Sequence, residues 1–333
     1  MSYLRMSTTL SAARFMPEVQ PSLADLYAQV RGHTEALARP LSPEDQTIQS
    51  MPDASPTKWH RAHTTWFFET FVLEPFAKGY APYDPAFKFL FNSYYEAVGP
   101  QHARALRGLV SRPGVQEIAA YRAHVDAALE QLLGDCPTEA FERVVLGLHH
   151  EQQHQELLLT DIKHALHCNP TLPAYSPDKI TSPARRKGPI QWIQVPGGIF
   201  SVGHAPTGEP LDFAFDNETP AHDVLLRDFR IADRPVSNGE FLEFIEDDGY
   251  RRPELWLSEG WTTRQLHQWE APEYWHHRDG KWHVYSLHGL APMRPDEPVC
   301  HVSYFEAAAF AEWTRCRLPT EFEWEIAARR LGL

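Results

Sequence analysis

Cysteine is scarce. Cys136, Cys168, Cys300 and Cys316 are the four in 333 residues, and no two form a C-x-x-C pair. A chain of this size needs no disulfide staples, so the four read as free thiols in a reducing cytoplasm. Long apolar runs are missing too. None approaches the roughly 18 residues that a bilayer span requires, and the opening MSYLRMSTTLSAARFM lacks the continuous apolar stretch of a signal peptide. Positive charge is in deficit, with 31 Lys+Arg against 44 Asp+Glu and a net charge of −13. That balance excludes a nucleic-acid or anionic-membrane partner, since both demand clustered Lys and Arg. A cytoplasmic enzyme or small-molecule binder is the expectation.

What is present points elsewhere. Ten Trp, 12 Tyr and 18 Phe supply ample core, which excludes a disordered chain. The length predicts roughly two domains. Histidine is abundant, at 18 residues. Excess histidine beside few cysteines directs attention to an imidazole-ligated metal.

The first half reads as helical. Leu23, Leu26, Tyr27, Val30 and Leu37 recur on one face of residues 21–38. A short helix is expected at Ser42-Pro43-Glu44-Asp45. Next comes a helix of about five turns, capped by Ser55, begun by Pro56 and stopped at Pro75. Residues 115–134 are amphipathic and end on Gly134. A fourth long helix runs from an N-cap at Thr138 to about Leu166. Four long helices predict a helix bundle. The proline-dense stretch 168–188 reads as a linker. Beyond it the pattern changes. IQWIQVPGGIFSVG predicts a hairpin about its Gly-Gly pair, and VLLRDFRIADRPVS a strand leading into the helix NGEFLEFIEDDG. Residues 250–300 predict irregular loops. Helices follow from Tyr304 to Cys316 and after a capping Thr320.

The strongest chemical signal is His150-Glu151-Gln152-Gln153-His154 on the fourth helix. Residues four apart lie about 40° apart around a helix, so both imidazoles share one face. Gln153 borders that face. Glu156 lies about 120° round and is better placed to orient a ligand than to be one. H-E-Q-Q-H also matches the zinc-peptidase pattern, with Glu151 as general base. The longer zinc-peptidase motif fails, because Leu157 and Thr160 stand where Gly and His are wanted. No glutamate occurs between Glu156 and Pro206 to serve as a downstream ligand. The helix 55–74 offers His60 and His63, either of which can supply a third imidazole. Three neutral imidazoles leave open positions on a metal, and they suit zinc and iron alike.

Three stretches carry a family resemblance: S-P-x-K-W-H-x-A-H-T-T-W-F-F-E at 55–69, F-N-S-Y-Y-E-A-V-G-P at 91–100, and H-x-x-x-H-x-E at 150–156. The sequence resembles the ergothioneine-biosynthesis sulfoxide synthases, or hercynine oxygenases. These join a DinB-like four-helix domain to a formylglycine-generating-enzyme-like domain. The resemblance implies an α + (α+β) architecture, with a DinB-like four-helix bundle at 20–167, a linker at 168–188 and a C-type-lectin-like domain at 189–333. The stretches W-I-Q-V-P-G-G-I-F-S-V-G, D-N-E-T-P-A-H, P-V-C-H-V-S-Y-F-E-A and R-L-P-T-E-F-E-W-E-I-A-A-R carry the second part. That domain ordinarily continues past the last of these stretches, so an incomplete second domain is expected.

By the resemblance, His63, His150 and His154 bind a mononuclear non-haem Fe(II), while His60 is structural. Gln153 then hydrogen-bonds a substrate imidazole, and Tyr94 or Tyr95 delivers a proton near the metal. Arg107 is a candidate clamp for a substrate carboxylate. The implied reaction joins the sulfur of cysteine, or of γ-glutamylcysteine, to hercynine with O2 as co-substrate. The rival readings are a zinc-dependent DinB-type thiol transferase and an inactive metal-binding remnant.

Overall fold

The computed structural model describes residues 21–93, 99–176 and 188–331. Ser22 opens the first helix, α1 (Leu23–Ala38), through a capping box with Asp25. Ser42 and Asp45 exchange the same reciprocal bonds, but the chain makes only a turn there, not the expected helix.

The next helix, α2 (Thr57–Phe68), is buried along its whole length. It runs through a π-helical turn at Glu69–Leu73 into a last turn at Glu74–Phe76. One expectation fails here. Pro56, not Ser55, occupies the cap position. Ser55 instead donates its backbone N–H to Asp161 and accepts a bond from Arg107 at Oγ. The helix ends at Phe76, one residue past the expected stop at Pro75. The Phe71 carbonyl, which a proline nitrogen four residues on cannot bond, is taken by Arg143 Nη1 at 3.0 Å.

Helices α3 (Val115–Leu133) and α4 (Thr138–His167) follow. Thr138 is the first helical residue of α4 and Pro137 its cap. The four helices surround one core of Tyr27, Trp66, Phe68, Tyr121, Val125 and Val144, among others. A helix buried on every side must satisfy its own polar groups. In α2, Lys58 donates to the carbonyls of Ser111 and Pro113, and Arg61 to Glu35 and Gln46.

The second half is built from short strands and helices. Strand β1 (Trp192–Val195) pairs antiparallel with β4 (Phe229–Ala232), and β2 (Gly198–Val202) with β3 (His222–Leu226). The expected hairpin across Gly197-Gly198 is therefore wrong, since β1 and β2 belong to different sheets. Gly197 turns the corner between them. A Cβ there would lie 2.6 Å from the Leu226 carbonyl oxygen, so only glycine lets the backbones approach.

Helix α5 (Asn238–Glu246) is capped by Ser237 as its pattern predicts. The region expected to be irregular contains helix α6 (Ser258–His267) and a meander of β5 (Trp275–Arg278), β6 (Lys281–Ser286) and β7 (Gly289–Pro292). Helices α7 (Tyr304–Trp313) and α8 (Glu321–Leu331) complete the described chain. Arg329 on α8 donates to the carbonyls of Ser201 and Gly203, fastening the helix beside β2. Among the described residues no helix is long and apolar enough to cross a membrane.

The two halves touch along α4. Leu158, Ile162 and Leu166 share a cluster with Tyr274 and Tyr285 of the meander. Residues 168–176, expected to be linker, lie against the same sheet, with Ser176 donating to the Leu287 carbonyl and Tyr285 to that of Pro173. Nearer the start of α4, His149 stacks on Phe213, with ring centroids 4.0 Å apart and planes 6° apart.

Candidate metal centre

Helices α2 and α4 bring His63, His150 and His154 together. One ring nitrogen from each lies within 4.8 Å of the others. Gly147 makes the close approach possible. It lies one turn before His150, and a Cβ there would come 2.5 Å from Phe68 Cε1. The His63 ring is held between two indoles, stacked on Trp59 at 4.6 Å and on Trp66 at 5.3 Å. Its Nδ1 donates to the Phe91 carbonyl at 2.6 Å, which leaves Nε2 with the lone pair.

Burial first, then the neighbouring imidazoles, drive the His63 and His154 rings well below their ordinary pKa. Burial pushes His150 down to about 4, partly offset by Glu151. All three are thus neutral at pH 7, the form that offers a lone pair to a metal. His150 Nδ1 is also buried without a hydrogen-bond partner among the described residues. An orphaned imidazole nitrogen beside two aligned ones fits a ligand set for a divalent transition metal.

The other expected residues divide. Gln153 is exposed beside the cluster. Glu156 is exposed, and its carboxylate orients no histidine among the described residues. Asp161 lies seven residues after His154 and so two turns along the same face. Asp161 Oδ2 meets His60 Nε2 at 3.0 Å, and His60 Nδ1 meets His154 Nδ1 at 2.9 Å. His60 therefore stands behind a candidate ligand. The His-x-x-x-His spacing was visible in sequence. Its continuation to Asp161 was the available signal and was missed.

Arg107 is buried, donating to Ser55 Oγ and Ser93 Oγ at 2.9 Å each. Its guanidinium lies 3.4 Å over the Trp59 ring, extending the stack that holds His63. Tyr94 and Tyr95 lie outside the described residues. Glu151 points away from the cluster into a charged network. It accepts from Arg31 at 2.9 Å, Arg122 at 3.0 Å and Thr34 at 2.6 Å. Burial alone would raise its carboxyl, but the two guanidiniums and these bonds hold it down to about 2. A carboxylate so engaged is unavailable as a peptidase's general base.

A helical half with three converging imidazoles is joined to an α+β half, which defines a two-part class of protein. Residues 178–332 match the Sulfatase-modifying factor enzyme 1-like domain family. Over 316 residues the chain is 35% identical to a hercynine oxygenase of Mycolicibacterium smegmatis, covering 92% of this chain and 68% of that one. It is 34% identical to the hercynine oxygenase of Mycolicibacterium thermoresistibile, covering 92% and 66%, and to that of Mycobacterium tuberculosis, covering 83% and 62%. The chain spans about two thirds of the length of these relatives. It belongs to the hercynine oxygenase family, the ergothioneine sulfoxide synthases.

Proposed function

We propose that this chain carries the metal centre of an Fe(II)- and O2-dependent sulfoxide synthase. The reaction joins the thiol sulfur of cysteine, or of γ-glutamylcysteine, to an imidazole carbon of hercynine and oxygenates the sulfur. The observation that carries the reading is the convergence of His63, His150 and His154, neutral and with lone pairs available, on one point. In this reading residues 20–167 are a DinB-like bundle, 168–188 a connecting stretch and 189–333 the formylglycine-generating-enzyme-like part.

A ferrous ion held by the three imidazoles supplies O2 activation beside the thiol and leaves positions open for both substrates. The protein's own groups do the remaining work. Trp59 and Trp66 fix the plane of the His63 ring. Gln153, exposed next to His154, donates to the substrate imidazole. Arg107, held by Ser55, Ser93 and Trp59, is the candidate clamp for a substrate carboxylate. Tyr94 or Tyr95 gives up its phenolic proton as charge develops on oxygen. A pKa near 10 keeps that proton in place until then.

The test is anaerobic loading with Fe(II), then hercynine, cysteine and O2, with O2 consumption followed against the zinc-loaded protein. Uptake that requires iron and both substrates supports the proposal. Uptake no greater than in the zinc control removes it and leaves the thiol-transferase reading.

A further inference from the structure

We propose that Asp161 and His60 form a positioning chain behind His154, which fixes the ring nitrogen His154 offers and ties that imidazole to a negative charge. The inference rests on the reading of His63, His150 and His154 as metal ligands. Its logic runs from the far end. An ionised carboxylate has no proton to give, so Asp161 Oδ2 accepts from His60 Nε2–H at 3.0 Å. The same oxygen accepts the Ser55 backbone N–H at 2.7 Å, which holds it in place at the start of α2.

A neutral imidazole protonated at Nε2 carries its lone pair on Nδ1. His60 Nδ1 therefore accepts from His154 Nδ1–H at 2.9 Å. His154 is left with its lone pair on Nε2. The opposite arrangement, with His154 accepting at Nδ1, would need a proton on Asp161 or a second proton on His60.

His63 reaches the same tautomer by a different route, donating Nδ1–H to the neutral Phe91 carbonyl. The two imidazoles thus differ in backing, one ending on a carbonyl dipole and the other on a carboxylate. Partners of this kind raise ligand basicity and hold ring orientation. His60, Asp161 and Ser55 are buried or nearly so, and the chain crosses between α2 and α4, the two helices that carry the cluster.

The experiment uses Co(II) as the probe on the full chain. His60→Phe and Asp161→Asn are expected to weaken Co(II) binding by about 10- to 100-fold and to change the cobalt d–d absorption. His60→Asn returns an acceptor near the Nδ1 position and is expected to recover part of the affinity. Thermal unfolding of each metal-free variant separates loss of the fold from loss of ligand positioning. A long-range proton–nitrogen spectrum of the unaltered zinc-loaded protein needs no substitution. It should show His154 protonated at Nδ1.

Unchanged Co(II) affinity and spectrum in both His60→Phe and Asp161→Asn overturn the proposal. A His154 protonated at Nε2 overturns it as well, as does complete loss of binding in His60→Phe, which would make His60 a ligand. An unaltered chain that binds no Co(II) overturns the ligand reading beneath it, a result distinct from the others.

Discussion

Glu151 shows how one residue changes what a motif means. In H-E-Q-Q-H its carboxylate has the spacing of a peptidase base, yet it lies between Arg31 and Arg122 with no exposed surface. Removing one partner from a buried ionic network is costly, about 3–5 kcal/mol. Glu151→Gln is therefore expected to lower stability by roughly that amount in urea unfolding. A catalytic base would instead be replaced with little change in stability. His63→Ala should abolish Co(II) binding, while Gln153→Ala should leave it intact; equilibrium dialysis distinguishes them.

At this scale the sequence showed His150 and His154, because their pairing is local and periodic. Spacing alone left His60 and His63 as alternatives, which only the family resemblance separated, because their roles are set by atoms far along the chain. His63 meets a carbonyl 28 residues away, and His60 a carboxylate 101 residues away.

Among the elements, α2 and α4 matter most, and Gly147 sets their separation. Alanine there gains about 1 kcal/mol of helix propensity. The added methyl meets the rings of Phe68 and Phe67, which are buried and cannot retreat. Overpacking of this kind costs about 1–3 kcal/mol. Gly147→Ala should thus lower the unfolding midpoint and weaken Co(II) binding together, and a midpoint that rises would show that the helices can spread.

Helix existence was legible along this half because the apolar spacing is dense. Helix ends were less so. Pro75 marks the stop to within one residue, but the π-helical turn before it and the Arg143 bond to the Phe71 carbonyl have no local signal. The strands were harder still. Gly197-Gly198 has the composition of a hairpin turn, but the pairing partners lie some 30 residues on, and no local pattern reports them.

For the whole molecule, several of the histidines that the cluster does not use lie where the halves meet. His167 Nε2 lies 2.9 Å from His276 Nε2, and Lys163 Nζ donates to His301 Nε2 at 2.6 Å. Burial, then His276, lowers His167 to about 4, and burial, then Lys163, lowers His301 to about 4. Both sit below the ordinary value of about 6.5. Their contribution to stability is therefore complete above about pH 6.5 and is lost as pH falls toward 4. Hydrogen exchange in residues 272–292 should accelerate across that window. Replacing His167 and His301 by Gln should flatten the acceleration, and an unchanged pH response would remove the two histidines as its source.

The single length of α4 carries a mechanical consequence. Its 30 residues hold the imidazoles at His150 and His154 and, further on, the contacts of Lys163 and His167 with the meander. Its pitch acts as a gauge, setting both how far along the bundle the second half docks and which way it faces. One alanine inserted between Asp161 and Lys163 would turn the downstream contacts by about 100° and advance them by about 1.5 Å, while the imidazoles and Asp161 keep their phase. Such a protein should still bind Co(II) and yet let protease reach the meander, separating assembly of the cluster from docking of the second half.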